Sequence, residues 1–450
     1  MKLSIILNSD SYKYSMFNQY PEGTEIVYSY IESRGGKWDS TLFFGLQAFI
    51  KEYLLNPITK DDIDLAEEII REHGEPFYRE GWEYILNVHG GRLPVVIKAV
   101  PEGTIVPVKN VLVTIENTDP KCFWLTTFLE TALLRAVWYP TTVATNSYES
   151  KKIILKWLEK NGDDNDIDFR LHDFGARGVS SLESSALGGA AHLVNFRGTD
   201  NVASLVLLNR WYSAGCAGFS VPAMEHSTVT SWGRENEIAS YLNMIRKNPN
   251  GIVSIVSDSY DIYRACHYYG SVLKQDIIDN NVQLVVRPDS GIPNVIVTGC
   301  LEILDSYFGH TVNSKGYKVI NNVRVLQGDG INGKMIDLIL ETADSYGYSA
   351  DNILFGQGGA LLQQLDRDTQ KWAMKCSAIR VNGEWRHVFK DPVTDPGKTS
   401  KKGRVTLYKD NGKYHSGVED WPTPVLETVF ENGKLIKEYT FEEVRKNAIV

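Results

Sequence analysis

The stretches that decide the fold are IVSIVSD (252–258), QLVVRPD (283–289), VRVLQGD (323–329) and ILFGQGG (353–359). Each is a short apolar run followed by glycine, arginine or aspartate, and their starts lie 31, 40 and 30 residues apart. Such a spacing holds one strand, one helix and their connections, so it predicts repeated βα units in a parallel sheet or barrel. In folds of this kind the residues that follow the strands form the site.

Three shorter apolar runs precede this series and are predicted as strands at 169–171, 192–194 and 219–221. The first 160 residues are of α+β type, with a strand over 25–31 and three amphipathic helices. One helix begins after the N-cap Thr59 and ends at Gly74, the second covers 123–137 and stops before Pro140, and the third covers 146–160. After about residue 378, three Asn-Gly pairs at 382–383, 411–412 and 432–433 predict β-hairpins.

Composition excludes several classes of protein. The 450 residues include 47 basic and 56 acidic side chains, and the net charge of −9 argues against a nucleic-acid or anionic-membrane surface. The five cysteines are scattered without a C-x-x-C pair, so neither a disulfide framework nor a zinc ribbon is expected. Without a signal-peptide core or an 18-residue apolar run, we expect a cytoplasmic protein that does not enter a membrane.

The residues that follow the predicted strands have one chemistry in common. They are carboxylates, arginines, one histidine and bare glycines, which suit phosphate groups and ribose hydroxyls. A phosphorylated sugar is therefore the predicted ligand. Other interpretations remain open at this point. The string GDGING (328–333) also fits a dinucleotide-binding pattern, the aspartates fit helix caps, His226 fits a structural histidine, and the lysines near residue 400 fit a solvated loop.

Eight strings along the chain carry a resemblance to a known family. They are DSYK (10–13), HDFGARGVSS (172–181), GTD (198–200), SVPAMEHST (220–228), VSDSYD (256–261), RPDSG (287–291), QGDG (327–330) and KDPV (390–393). Their order and extent cover essentially the whole chain. On these strings the chain resembles the nicotinamide phosphoribosyltransferase family.

The resemblance implies an α/β fold in which an irregular βα barrel stands beside a second α+β domain formed from both chain termini. The domains expected are 1–160 with 378–450, and 161–377. It also implies transfer of a 5-phosphoribosyl group from phosphoribosyl pyrophosphate to nicotinamide, giving nicotinamide mononucleotide and pyrophosphate in NAD salvage. The expected assembly is a homodimer with shared active sites.

Site residues are carried over position by position from the same resemblance. Phe174 and Tyr12 of the partner subunit would stack on the pyridine ring, while Asp200 and Arg177 would bind the carboxamide, which favours the amide over the acid. The expected substrate-binding residues are Tyr12, Phe174, Arg177, Asp200, Ser220, Arg287, Gly328, Asp329, Gly358 and Gly359.

Catalysis is expected to involve His226, Asp258 and Asp289. By resemblance, His226 would be phosphorylated from ATP as an enhancing co-substrate, with Asp258 orienting the imidazole. Mg²⁺ would be held mainly by substrate phosphates rather than by a protein cage. The expected phosphate and ATP groups are Arg34, Arg367, Lys375, Lys390 and Lys398.

Two alternative functions share this fold. A nicotinate phosphoribosyltransferase would take the acid in place of the amide, and Asp200 argues against it because like charges repel. A non-catalytic binding protein would have no need of the complete set of ionisable residues.

Overall fold

The computed structural model describes residues 3–163, 167–394, 399–418 and 424–449. Two compact units form, one from residues 1–145, 207–214 and 365–450 and the other from residues 146–206 and 215–364. The first unit combines segments from both ends of the sequence, and its boundaries at residues 145 and 365 differ from the predicted 160 and 378. Residues 365–377 belong to the first unit because the strand Trp372–Val381 pairs with Thr24–Ser33 in its sheet.

The strands are numbered in chain order, with bounds β1 Thr24–Ser33, β2 Ser40–Leu42, β3 Val95–Ala99, β4 Ile105–Pro107, β5 Val111–Asn117, β6 Leu171–Asp173, β7 Gly198–Thr199, β8 Ile252–Val256, β9 Gln283–Arg287, β10 His310–Val312, β11 Lys318–Ile320, β12 Val323–Gln327, β13 Ile353–Gln357, β14 Trp372–Val381, β15 Glu384–His387, β16 Val405–Asp410, β17 Lys413–Val418, β18 Glu427–Glu431 and β19 Lys434–Leu435. The strands of the first unit form an antiparallel sheet of order β15-β14-β1-β5-β3-β18-β19 and two small pairs, β2-β4 and β16-β17. Those of the second unit form a parallel sheet of order β7-β6-β13-β12-β9-β8 and one hairpin, β10-β11.

Helices connect the parallel strands and cover the antiparallel sheet. Their bounds are α1 Leu46–Phe49, α2 Lys60–Glu72, α3 Arg79–His89, α4 Leu125–Phe128, α5 Glu130–Asn161, α6 Leu182–His192, α7 Val202–Tyr212, α8 His226–Thr230, α9 Glu237–Lys247, α10 Ile262–Ser271, α11 Lys274–Asp279, α12 Pro293–Phe308, α13 Gly333–Ser345, α14 Gly359–Leu362 and α15 Phe441–Asn447. Among the described residues, none of these helices has the length and apolar character needed to cross a lipid bilayer.

An extended segment at 219–224 links the two edges of the parallel sheet. Phe219 forms a parallel bridge to Gly198 of β7, and Ala223 forms one to Ser254 of β8. These isolated bridges close the curled sheet into an irregular barrel, which confirms the expected fold class. Apolar side chains of β8, β9, β12 and β13 pack with α10, α12 and α13 in one core.

Most of the predicted elements are confirmed. The four strands that start at residues 252, 283, 323 and 353 begin at those residues. Helix α2 begins after a capping box formed by Thr59 and Asp62. All three Asn-Gly pairs connect hairpin strands, and each asparagine has a φ between 47° and 50°, as a two-residue primed turn requires.

Two predictions in the helical regions are wrong. Pro140 does not end a helix, because α5 runs from Glu130 to Asn161 with Pro140 inside it. Burial of Leu133 and Val137 in the core of the first unit outweighs the cost of an internal proline. Residues 192–194 are not a strand, since His192 ends α6 and the strand comes later, at Gly198–Thr199. The run at 219–221 forms only the isolated bridge described above.

Candidate active site

A cavity of about 370 Å³ opens at the carboxyl ends of the barrel strands. It collects residues that end or follow β6, β7, β9, β12 and β13, and the sequence separates these residues by up to 185 positions. The side chains and backbone that line it are Asp173, Phe174, Ala176, Arg177, Asp200, Arg287, Asp289, Gly328 and Gly358. Seven of the predicted site residues are therefore brought together in one space.

Phe174 lies against backbone that carries no side chains. A Cβ added at Gly356 would lie 2.1 Å from the Phe174 ring, and one added at Gly328 would lie 3.4 Å from it. Glycine at 356 is thus required for the ring to occupy this place. The backbone N–H of Phe174 donates to the Gln357 carbonyl at 3.0 Å, which ties the residue to the end of β13. The ring is therefore fixed by its surroundings before any ligand arrives.

Asp200 presents a carboxylate at the end of β7. Its Oδ1 accepts a hydrogen bond from the Ser220 hydroxyl at 2.6 Å, so these two predicted substrate-binding residues are in contact. Arg177 follows Phe174 on the short 3₁₀ turn Ala176–Gly178 and is exposed. An acceptor and a cationic donor therefore line the same cavity as an aromatic face. This combination suits a flat ring that carries an amide.

Arg287 interacts electrostatically with the carboxylates in and near the cavity. Its Nη2 donates to the Met224 carbonyl at 2.5 Å, and burial lowers the pKa of its guanidinium while Asp289, Asp200 and Asp258 act in the opposite direction. Burial likewise raises the pKa of Asp289, a shift that Arg287 opposes. Arg287 is therefore a half-buried cation near several carboxylates, and water solvates its charge only in part. Such a cation is suited to bind a polyanionic group.

His226 begins α8 and is 46% exposed. Its Nε2 lies 2.9 Å from Oδ1 of Asp258, and the other oxygen of Asp258 accepts from the Ser290 hydroxyl at 2.6 Å. Asp258 is thus held from two sides, with its side chain only 6% exposed. The arrangement orients the imidazole ring while nearly half of the side chain stays accessible to solvent. Ser290 was not predicted as a site residue, although it stands in the string RPDSG that carried the resemblance.

The predicted glycine loop follows β13. Gly358 is the N-cap of the short helix α14 and Gly359 is its first residue, and a Cβ added at Gly359 would meet no atom within 4 Å. Open space therefore lies beside Gly359, on the side where a side chain would stand. Asp329, the predicted partner of a ribose hydroxyl, is exposed and contributes to the field at Asp289.

The remaining predicted residues lie in the first unit. Tyr12 is 57% exposed, and Arg367 and Lys390 are also exposed. Burial lowers the pKa of Lys375, and the positive charges of Arg34, Lys13 and Arg367 lower it further, which Glu130 opposes. Lys398 lies outside the described residues. A group of cations held close enough to destabilise one another is typical of an anion site.

Lys13 is a member of this basic group that the sequence interpretation missed. Its side chain is 3% exposed, and its Nζ lies 2.5 Å from Oε2 of Glu130. Its place in the DSYK string, directly after the predicted Tyr12, was the available signal. Because Lys13 is paired with a carboxylate, it contributes little net charge to the group.

Comparison with known proteins assigns the chain to a family. Residues 169–434 match the profile of the nicotinate phosphoribosyltransferase (NAPRTase) family. The chain belongs to this family. Residues 4–97, which lie in the first unit, match the N-terminal domain of nicotinamide phosphoribosyltransferase. The resemblance found in the eight strings is therefore confirmed over most of the chain.

Several similar proteins are named nicotinamide phosphoribosyltransferase. A nicotinamide phosphoribosyltransferase of Xanthomonas campestris pathovar campestris is 53% identical, over 99% of this chain and 98% of that one. One from Acinetobacter baylyi is 34% identical, over 97% and 95% of the two chains. Among solved structures, the fold is similar to a nicotinate-nucleotide pyrophosphorylase from Pyrococcus furiosus, with a TM-score of 0.66, 15% identity and coverage of 99% and 94%. The human nicotinic acid phosphoribosyltransferase follows with a TM-score of 0.60, 15% identity and coverage of 98% and 92%.

Proposed function

We propose that this chain transfers the 5-phosphoribosyl group of phosphoribosyl pyrophosphate to the ring nitrogen of nicotinamide. The observation that carries the proposal is the cavity in which Phe174, Arg177 and Asp200 lie together with Arg287 and the glycine backbone. The names of the relatives from Xanthomonas and Acinetobacter support the same reaction. The products are nicotinamide mononucleotide and pyrophosphate, which makes the reaction a step of NAD salvage.

Nicotinamide would stack on Phe174, with its carboxamide N–H donating to Asp200 and its carbonyl accepting from Arg177. Ser220 orients Asp200 through the 2.6 Å hydrogen bond, which leaves the other carboxylate oxygen for the ligand. A ring held in this way has a fixed orientation toward the phosphoribosyl group, and its nitrogen has no polar contacts and can react. Tyr12 of the partner subunit would cover the second face in a homodimer, and its 57% exposure in the single chain supports that role.

The phosphoribosyl group develops positive charge as pyrophosphate departs. Asp289 and Asp329 would bind the ribose hydroxyls, and Arg287 would face the pyrophosphate. The backbone at Gly328, Gly358 and Gly359 would bind the 5-phosphate. Mg²⁺, when bound with the substrate, neutralises pyrophosphate oxygens, and the carboxylates of this cavity are oxygen donors of the kind that it prefers.

His226 would accept a phosphoryl group from ATP. Donation of Nε2–H to Asp258 leaves the lone pair of the imidazole on Nδ1. Attack by Nδ1 on the γ-phosphorus would form a P–N bond and release ADP, and water would later cleave that bond to give phosphate. Lys375, Arg34, Arg367, Lys390 and Lys398 would supply positive charge for the phosphates, some of it from the partner subunit.

Nicotinate is the second candidate substrate, favoured by the name of the matching family. The decisive experiment offers phosphoribosyl pyrophosphate and Mg²⁺ with either nicotinamide or nicotinate, with and without ATP, and follows both mononucleotides. We expect nicotinamide to be used with the higher kcat/KM. Equal or better use of nicotinate would overturn the amide assignment, and no turnover of either would favour a binding protein.

All five cysteines are free, which supports our proposal of a reducing, cytoplasmic location.

Two variants separate the roles within this proposal. Asp200→Asn removes the charge that repels an acid, so the ratio of nicotinamide to nicotinate turnover is expected to fall while the KM for phosphoribosyl pyrophosphate stays within about twofold. His226→Ala is expected to abolish stimulation by ATP and to retain the ATP-independent reaction. An unchanged ratio in the first variant, or unchanged stimulation in the second, would contradict the role assigned to that residue.

A further inference from the structure

Asp173 ends β6 with a fully buried side chain that none of the proposed binding steps uses. Its Oδ1 accepts a hydrogen bond from the Gly175 N–H at 2.7 Å, and its Oδ2 accepts one from Nδ2 of Asn201 at 3.0 Å. Its backbone carbonyl accepts from the Asp200 N–H at 3.0 Å. One residue therefore bonds to both segments that carry the predicted contacts to nicotinamide.

The bond to Gly175 fixes the turn that carries the aromatic ring. Phe174 is the residue between Asp173 and Gly175, and its own N–H is bonded to the Gln357 carbonyl. The turn closes with a 2.9 Å bond from the Gly178 N–H to the Gly175 carbonyl. With donors satisfied on both sides of it, Phe174 has little freedom to swing away from the cavity.

The bond to Asn201 fixes the segment that carries the carboxylate. Asn201 also donates to the Ser185 carbonyl at 2.9 Å and accepts from the Ser185 hydroxyl at 3.2 Å. Its backbone N–H donates to the Thr199 hydroxyl at 3.0 Å. Asn201 is thus held on every side, and Asp200 is the residue directly before it.

Helix α6 leaves room for this pair of side chains. A Cβ added at Gly189 would lie 2.5 Å from Nδ2 of Asn201 and 2.9 Å from Oδ2 of Asp173. Glycine is a poor helix former, yet it stands here in the middle of α6. The helix therefore places its smallest residue where the hydrogen bond between Asp173 and Asn201 needs space.

We propose that Asp173 is a positioning residue that sets the distance between the Phe174 ring and the Asp200 carboxylate. Because these two groups bind the ring and the amide of the substrate, Asp173 thereby sets the preference for nicotinamide over nicotinate. Asp173 is also among the residues that line the cavity, and its buried carboxylate interacts electrostatically with that of Asp200. The negative charge of a substrate acid would be repelled by Asp200 and, from behind the cavity wall, by Asp173, whereas a neutral amide would not be repelled. The inference rests on the proposed function, because it concerns recognition of the same pyridine ring.

The test is Asp173→Asn, which preserves shape but can accept only one of the two bonds and carries no charge. We expect the KM for nicotinamide to rise about tenfold, since displacements on the order of 1 Å at a reacting site cost up to roughly 100-fold. The nicotinamide-to-nicotinate ratio of kcat/KM should fall by a similar factor, while the KM for phosphoribosyl pyrophosphate stays within about twofold.

Asp351→Asn is the matched control. Asp351 is another buried aspartate of the same unit, 3% exposed, but it bonds to Arg170 and lines no part of the cavity. It should lower stability without changing the substrate ratio. If both variants change the ratio equally, or if Asp173→Asn leaves it unchanged, the inference is overturned.

Gly189→Ala keeps the inference testable if Asp173→Asn does not fold. The added methyl group would displace the Asp173–Asn201 pair from the side of α6 without removing either side chain. Alanine itself favours the helix. The same fall in the ratio is expected, and an unchanged ratio overturns the inference. The parent assay stands apart from these outcomes, because a parent that does not use nicotinamide contradicts the proposed function itself.

Discussion

Replacing Gly356 by alanine tests how the aromatic ring of the cavity is held. The new Cβ would lie 2.1 Å and 2.2 Å from Cε2 and Cδ2 of Phe174. Carbon atoms that are not bonded come no closer than about 3.5 Å at favourable separation. The edge of the Phe174 ring must therefore move by roughly 1.4 Å, because the other side of the contact is strand backbone.

The size of the effect follows from two contributions. Forcing a methylene-sized group into packed space costs about 1–3 kcal/mol of unfolding free energy. Loss of a well-placed aromatic stack costs about 0.5–1.5 kcal/mol of binding beyond the buried area. At about 1.4 kcal/mol for each factor of ten, the KM for nicotinamide is expected to rise about 2- to 12-fold.

Steady-state kinetics with each substrate varied in turn measures the effect, and urea unfolding measures the stability. Gly328→Ala is the matched control, since its Cβ would lie 3.4 Å from the same ring, close to ordinary contact. We expect that variant to change the KM for phosphoribosyl pyrophosphate and to leave that for nicotinamide within about twofold.

The refuting result is specific. If Gly356→Ala folds, loses stability and keeps the parent KM for nicotinamide, Phe174 does not carry the ring of the substrate. Equal changes in both variants would also refute the reasoning, because they would show that the contact distance to Phe174 has no influence.

Three further predictions concern stability. Arg170→Met leaves the buried Asp351 carboxylate without its ion pair, so urea unfolding should show a loss of about 3–5 kcal/mol. Tyr212→Phe removes the hydroxyl that donates to buried Glu102 at 2.7 Å and should cost about 1–3 kcal/mol in the same assay. Burial raises the pKa of Asp173 to about 6, so the folded chain binds this proton more tightly than the unfolded chain does. This proton contributes about 3 kcal/mol to the free energy of unfolding below about pH 4, and the contribution is lost as the pH rises through 6. In a pH series of urea unfolding, Asp173→Asn should lack this dependence of the unfolding free energy on pH.

The parallel strands were predictable because their residues are buried on both faces. The continuous apolar run at 284–286 is an example, since all three of its residues are buried and the charged Arg287 that follows marks its end. The hairpins were predictable because only a few residue types adopt a positive φ at low cost, and Asn-Gly at 411–412 is such a pair.

Local patterns failed where tertiary packing decides. Pro140 fits inside α5 because Gly45, with a φ of 104°, brings its backbone against the proline ring. That contact joins residues 95 positions apart, so no local window contains it. The apolar run at 192–194 is likewise the buried end of a helix, and its length alone could not distinguish it from a strand.

The candidate site was predictable as a set of residue types and not as a network. The sequence placed Asp258 and His226 at neighbouring strand ends, but the hydrogen bond from Ser290 depends on how two loops meet. Lys13 escaped notice for a similar reason, since a lysine is normally exposed and only its pairing with Glu130 makes burial tolerable.

Strand β1 pairs with β5 on one side and with β14 on the other. A ribosome that has completed β1 at Ser33 must still add about 340 residues before β14 is available, which takes roughly 20–70 s at common rates of synthesis. Throughout that interval one edge of β1 has unpaired N–H and C=O groups, which readily pair with other chains. The barrel residues emerge before β14 and can fold during this interval. Nascent chains that stall before Trp372 are therefore expected to depend on chaperones and to aggregate through β1.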